Sequence, residues 1–282
     1  MTVIGWWKTS SDLFHLFAMT PRLRNLALAM VASVFTASCA TSSFDPSTGQ
    51  IHASAPSASL QSEGSRQFEA YKRKKKISTN AAYNAQVRRV AARLKPIVNM
   101  PNAHWEFVVF EDPQPNAFAL PGGKVGVNTG LFQITQNDAG LAAVLGHEIS
   151  HVTLNHAQSR ISNATTVALG ALILDGVLAS QGVDSNTRIL AATGTAAAGT
   201  VGVMLPNSRN AELEADKLGT IYMARAGYDP HEAIAMWQRF STWRQKKGEG
   251  QSSEFLRTHP LDQNRIAALH AFMPVAMKEY RR

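Results

Sequence analysis

Cysteine is almost missing from these 282 residues: there is one, Cys39. No internal disulfide can therefore staple the fold, and stability must come from the core and any bound metal. Charge is sparse as well, at 17% of residues. The most apolar interior stretch, Ala164 to Leu205, is broken by Asp175 and by the polar run Gln181 to Arg188, so neither half supplies the roughly eighteen clean apolar residues of a membrane span. Basic residues interleaved with aromatics are lacking too, which argues against a nucleic-acid partner. The net charge of +8 does not change that reading. Lys8, Arg22 and Arg24 belong to a leader, and the run Lys72-Arg73-Lys74-Lys75-Lys76 reads as a solvated helix start beside a linker. What is present is 45% hydrophobic residues, the composition of a globular chain long enough for one sizeable core.

The single cysteine sits at an informative place. Arg22 and Arg24 precede an apolar run from Leu26 to Ala37 that ends Thr36-Ala37-Ser38-Cys39. A basic start, a short apolar stretch and small residues before a cut describe a secretory signal peptide, residues 1–38, with Met19 as an alternative start. Cysteine after small residues resembles a bacterial lipobox, in which Cys39 would be lipidated; Thr36 departs from the usual leucine. By the same resemblance Ala40, in place of aspartate, favours the outer membrane. Residues 39–65, rich in Ser, Ala, Pro, Thr and Gly, read as a flexible tether, and 66–282 as the folded domain.

The chemistry is concentrated in His147-Glu148-Ile149-Ser150-His151. Leu141, Val144, Leu145 and Val152 recur at helical spacing around it, and Asp138 can cap the start. On a helix, His147 and His151 lie one turn apart on one face, so both imidazoles can reach one ion. Glu148 is one step round, placed to take a proton from a water that the ion activates. Two histidines leave a zinc site one ligand short. Glu212 and Asp216, four residues apart in Asn210-Ala211-Glu212-Leu213-Glu214-Ala215-Asp216, share a helix face. Glu212 can complete the site while Asp216 accepts a hydrogen bond from a ligand imidazole. Glu214 should point elsewhere, and His156 and His231 read as bystanders.

H-E-x-x-H followed some sixty residues later by E-x-x-A-D resembles metallopeptidase family forty-eight, the glutamate zincins. Asn116-Ala117-Phe118-Ala119-Leu120-Pro121-Gly122-Gly123, Gly227-Tyr228-Asp229-Pro230 and Thr258-His259-Pro260 match that family in order, so the resemblance covers roughly residues 80 to 275. It implies an α+β fold, mostly helical, with a small sheet or hairpin beside a zinc cleft. It further implies one zinc ion per chain held by His147, His151 and Glu212, with Glu148 as general base. His259 would be a fourth ligand, an electrophile toward the oxyanion, or only a cap opening the C-terminal helix, and Arg265 would support it. The implied activity is endoproteolysis of misfolded or unassembled envelope proteins, by an outer-membrane lipoprotein facing the periplasm. The alternative is a chaperone or assembly factor whose zinc site is structural or closed.

Local patterns fill in the domain. A helix is expected over Asn80 to Val98, burying Val87, Val90, Ala91 and Leu94, and a strand over Trp105 to Phe110. Asn116 to Leu120 and Lys124 to Asn128 flank a Pro-Gly-Gly turn as a hairpin. Lys124, Val125, Gly126, Val127 and Asn128 are the expected substrate-pairing edge. Gly227 ends a helix, and Asp229, Pro230 and Glu232 open the next as a capping box. Ala164 to Leu205 would form either a pair of small-residue helices or a mobile lid.

Overall fold

Turn chemistry and apolar spacing place most of the helices where the sequence suggests. The structure, a computed structural model, describes residues 44–281 apart from 54, 99, 101, 200–204, 248–253 and 261–262. Residues 1–38, expected as a leader, and Cys39 lie outside the described residues. Helix α1 is Ala58–Lys74, opened by Ser57, whose hydroxyl accepts the Leu60 N–H at 3.3 Å. Helix α2 is Ala81–Leu94; Asn80 caps it and the expected Val87, Val90, Ala91 and Leu94 are its buried residues. The basic run closes α1 rather than starting a helix, which suits the negative end of the helix dipole. Lys72 there meets Glu106 at 2.7 Å, and Lys75 meets Asp112 at 2.9 Å.

Part of the stretch expected as a tether is ordered. Strands β1 (Phe44–Asp45) and β2 (Gln50–Ile51) pair antiparallel, and 58–65 belong to α1. Contacts with the domain anchor this stretch: Phe44 is buried and packs edge-on to Phe272, ring centroids 6.3 Å apart, Arg225 donates to the Gly49 carbonyl, and Gly64 lets α1 lie against the Pro121 backbone. Composition averaged over the segment hides such an anchor.

Strands β3 (Glu106–Phe110), β4 (Ala117–Leu120) and β5 (Lys124–Asn128) form one sheet in the order β3-β5-β4. The hairpin β4–β5 is antiparallel and turns through Gly122 and Gly123, both at positive φ, while β5 runs parallel to β3. Strand β5 is thus the middle strand, with both edges paired and Val125, Gly126, Val127 and Asn128 buried. Lys124 to Asn128 cannot add a substrate strand. Period-two alternation identifies a strand but not its neighbours, and the parallel partner comes from a segment that a hairpin signal does not reveal.

After a 3-10 turn at Thr129–Leu131 and the short α3 (Phe132–Thr135) comes α4, Asp138–Thr153, in which every residue from Gly140 to Thr153 is buried. Its cap is Asn137, whose side chain accepts the Gly140 N–H at 2.7 Å. Asp138 instead takes the first turn and receives a two-pronged contact from Arg89 at 2.9 and 3.0 Å. Helices α5 (His156–Ser180), α6 (Ser185–Gly199), α7 (Leu205–Arg225), α8 (His231–Lys247), α9 (Glu254–Thr258) and α10 (Gln263–Lys278) complete the chain. Gly227, at φ +77°, ends the excursion after α7, and Asp229 accepts the His231 N–H at 2.9 Å to start α8. Glu232 holds Arg239 and the Asn137 amide.

Two compact units result: Ser42–Ser159 with Ser208–Arg282, which carries the sheet and the centre described below, and a unit containing Arg160–Asn207. Within the latter, Asp175 accepts two hydrogen bonds from Arg188 at 2.8 and 2.9 Å, joining α5 to α6. By length and composition α5 is long and apolar enough to cross a membrane, contrary to the expectation from the sequence. Asp175 does not break it: a lone carboxylate is tolerated in a 25-residue helix when its partner, Arg188, is at hand.

Candidate metal centre

Two glycines decide how the site comes together. A Cβ on Gly146 of α4 would stand 2.7 Å from the Gly219 carbonyl, and one on Gly219 of α7 only 2.6 Å from the His147 nitrogen. With no side chain at either position the two backbones touch, and the turns of α7 that precede Gly219 lie against His147 and His151. His151 Nε2 is 3.1 Å from His147 Nε2. Glu212 reaches both, with Oε2 3.3 Å from His147 Nε2 and Oε1 3.4 Å from His151 Nε2.

His259 supplies a fourth donor. It follows α9 rather than opening the last helix, and its N–H donates to the Phe255 carbonyl at 2.7 Å. Its Nδ1 lies 3.2 Å from His147 Nε2 and 3.0 Å from Glu212 Oε2. His147, His151, Glu212 and His259 form one group able to hold a metal ion. A tetrahedral ion bonded to nitrogen and oxygen at about 2.0–2.1 Å keeps its donors about 3.3–3.4 Å apart. That is close to the 3.0–3.4 Å separations found here, and one ligand atom from each of the four residues lies within 4.8 Å of the others.

Around the donors is a ring of charge. Asp216 Oδ1 is 3.0 Å from His147 Nδ1, the ring nitrogen opposite the one that faces the cluster. Arg265 is buried and donates to both Asp216 oxygens at 2.8 Å, and to the Pro260 carbonyl at 3.0 Å. It also lies 3.2 Å from Glu212 and stacks its guanidinium over Trp237, 4.2 Å from the ring centre. Arg265 therefore offsets part of the charge of the two carboxylates and fixes the backbone beside His259. Glu148 is buried next to the donors, its Oε1 3.3 Å from His259 Nε2, and the Ala119 N–H of β4 lies on its side of the strand. The strand that reaches the candidate base is β4, not β5.

Two residues that the sequence marks as bystanders part ways here. His156 belongs to the constellation: it is buried, its Nδ1 2.8 Å from His151 Nδ1 and its Nε2 3.3 Å from Glu214 Oε2. The motif signal covers only i,i+4 on α4; His156 begins a new helix after a turn through Asn155 at φ +56°. His231 is exposed and bonds Asp229.

Burial and charge compete at each group. Burial would lower His147, but Asp216 and Glu212 outweigh it and push it up to about 9. Burial, helped by the His147 charge, holds His151 well below its usual range, keeping its lone pair. Burial raises Glu148 against the pull of His259 and His147. Burial would raise Glu212 and Asp216 as well; the imidazoles hold Glu212 low, and Arg265 with His147 holds Asp216 low.

These shifts make the metal-free chain sensitive to pH. His147 contributes stability that is fully present below its ordinary 6.5 and is lost as pH rises through about 9. Glu148, raised, acts in the same direction, while His151 and Glu212, both lowered, titrate below that window. Metal-stripped protein should therefore melt at lower temperature as pH climbs from 6.5 to about 9. Metal-loaded protein should not, because its ligands are already deprotonated. Thermal melts of both forms across that range check it, and a stripped form that gains stability would contradict the assignment.

A buried H-E-x-x-H helix, a glutamate from a second helix and carboxylates behind the imidazoles define a mostly helical α+β zincin-type metallopeptidase domain. The chain belongs to peptidase family M48, whose profile matches residues 81–273. It is 34% identical over 191 residues to the mitochondrial metalloendopeptidase OMA1 of Schizosaccharomyces pombe, a match covering 67% of this chain and 53% of that protein. It is likewise 34% identical over 180 residues to OMA1 of Saccharomyces cerevisiae, covering 62% and 49% of the two chains. To the beta-barrel assembly-enhancing protease of Escherichia coli it is 34% identical over 182 residues, covering 62% of this chain and 36% of that one. The chain thus spans about half the length of the OMA1 relatives and about a third of the bacterial one.

Proposed function

We propose that this chain is a zinc-dependent endopeptidase of the bacterial cell envelope that cleaves misfolded or unassembled proteins. The observation that carries the reading is the four-donor cluster with Glu148 beside it on the same buried helix. His147, His151 and Glu212 would hold the zinc. When bound, zinc polarises the scissile carbonyl and brings the pKa of a coordinated water down toward ~7. Glu148, made a stronger base by burial, accepts a proton from the attacking water and delivers it to the leaving amine. Substrate backbone would lie along β4, whose Ala119 N–H lies on the Glu148 side. Protein stripped with a chelator should lose cleavage of an unfolded casein-like substrate and regain it with added zinc. Cleavage that persists in fully stripped protein would end the proposal.

The envelope setting rests on the leader and on similarity to the beta-barrel assembly-enhancing proteases, with Cys39 as the lipid anchor to the outer membrane. It requires a mature N-terminus carrying lipid mass on Cys39.

One observation favours the alternative of an assembly factor with a closed zinc site. His259 supplies the fourth donor with Nδ1 and sets its other nitrogen 3.3 Å from Glu148, so that one imidazole engages both the donor cluster and the base. A working protease must release it. His259→Ala should keep zinc on three ligands and raise basal cleavage several-fold. A fall in cleavage with zinc retained would instead make His259 the group that stabilises the oxyanion.

A further inference from the structure

The two ligand histidines of α4 are supported unequally. His147 has a carboxylate directly behind it, with Asp216 Oδ1 at 3.0 Å. His151 has another imidazole: the Nδ1 atoms of His151 and His156 are 2.8 Å apart, and Glu214 Oε2 lies 3.3 Å beyond, at His156 Nε2. Two facing ring nitrogens can bond only if one carries the proton and the other a lone pair. His151 Nε2 faces the cluster, so a metal there requires its lone pair. The proton of His151 must then sit on Nδ1 and point at His156. His156 must accept at Nδ1, which puts its own proton on Nε2, facing the Glu214 carboxylate. One choice, made at the metal, sets both tautomers in the row.

We infer that His156 and Glu214 are positioning residues for the metal, forming a relay His151–His156–Glu214 that fixes the tautomer of His151 and passes the carboxylate's charge to the ligand. The inference rests on the reading that the cluster holds zinc. It explains why a buried imidazole stands here at all. His156 has both nitrogens engaged, whereas an apolar residue would leave the His151 N–H without a partner in a buried site. It also gives a use to Glu214, the carboxylate of α7 that is not in the four-residue donor group and pairs with His156 instead. His151 thereby gains the polarisation that Asp216 supplies directly to His147.

Zinc competition against a chelator, on the full chain, tests the relay. Glu214→Gln keeps shape but removes the charge, and should weaken zinc binding at the lower end of the ~10–100-fold range typical of such outer partners. His156→Asn keeps an acceptor where Nδ1 stood but has nothing to reach Glu214. It should lose about as much affinity as Glu214→Gln, and adding Glu214→Gln to it should cost nothing more. An equal further loss in the double variant, or no loss in Glu214→Gln alone, would overturn the relay. Nitrogen-15 spectra of the zinc-loaded wild type provide an independent test without any substitution. His151 should carry its proton on Nδ1 and His156 on Nε2; His156 protonated at Nδ1 would contradict the relay. If the wild type binds no zinc, the zinc reading fails and takes the relay with it; if it binds zinc without coupling, only the relay fails.

Discussion

Glu148→Gln should abolish most cleavage of unfolded substrate while leaving zinc content and melting temperature nearly unchanged. Glutamine keeps the volume and one acceptor oxygen, so the packing of the buried helix is undisturbed. What disappears is a carboxylate able to take a proton, and losing a general base costs about 10²–10⁴-fold in rate. Glu148 is not among the four donors, so the loss should fall on kcat rather than on metal affinity. Kinetics with metal analysis on the same preparation decide the matter. Full activity in this variant would exclude the mechanism. An inactive Glu148→Gln that still rescues a deletion strain as well as the wild type would favour the assembly-factor alternative.

Glu212→Ala should lose the metal. Glu212 is the only carboxylate among the four donors and touches His147, His151 and His259 at once. Its removal leaves three imidazoles and takes away the one carboxylate among the donors, which also pairs with Arg265, so neutral donors alone must hold the dication near that guanidinium. The fall in zinc affinity should exceed the ~10–100-fold expected for an outer partner such as Asp216. Glu212→Gln, which preserves the shape and one oxygen, should fall between the two and guards against a variant that merely misfolds. Zinc per chain after equilibration with a chelator is the readout. A Glu212→Ala protein that stays loaded would place the ligand elsewhere.

Asp216 and Arg265 show how stability and function share these residues. The Arg265–Asp216 pair is fully buried, and breaking such a pair by removing one partner typically costs about 3–5 kcal/mol, because the survivor is stranded. Loss of activity in an Asp216 variant is therefore informative only beside a measurement of folding.

Much of what a single helix encodes was legible in the chain. His147, Glu148 and His151 share a turn by the 3.6-residue period, as do Glu212 and Asp216 on α7, so the donors and their chemistry could be read from spacing. The hairpin β4–β5 announced itself through its Pro-Gly-Gly turn, and the buried face of α2 through its apolar period. Relations between elements distant in the chain had no such signature. It took the folded chain to bring α4 and α7 together backbone to backbone through Gly146 and Gly219, and to make β5 the inner strand. Folding also put His259 among the donors, made Arg265 a partner of Asp216, and set His156 between His151 and Glu214. The physical reason is that periodicity reports which face of an element is buried, whereas which residue meets it is set by packing, and there a single missing Cβ can decide the geometry of the site.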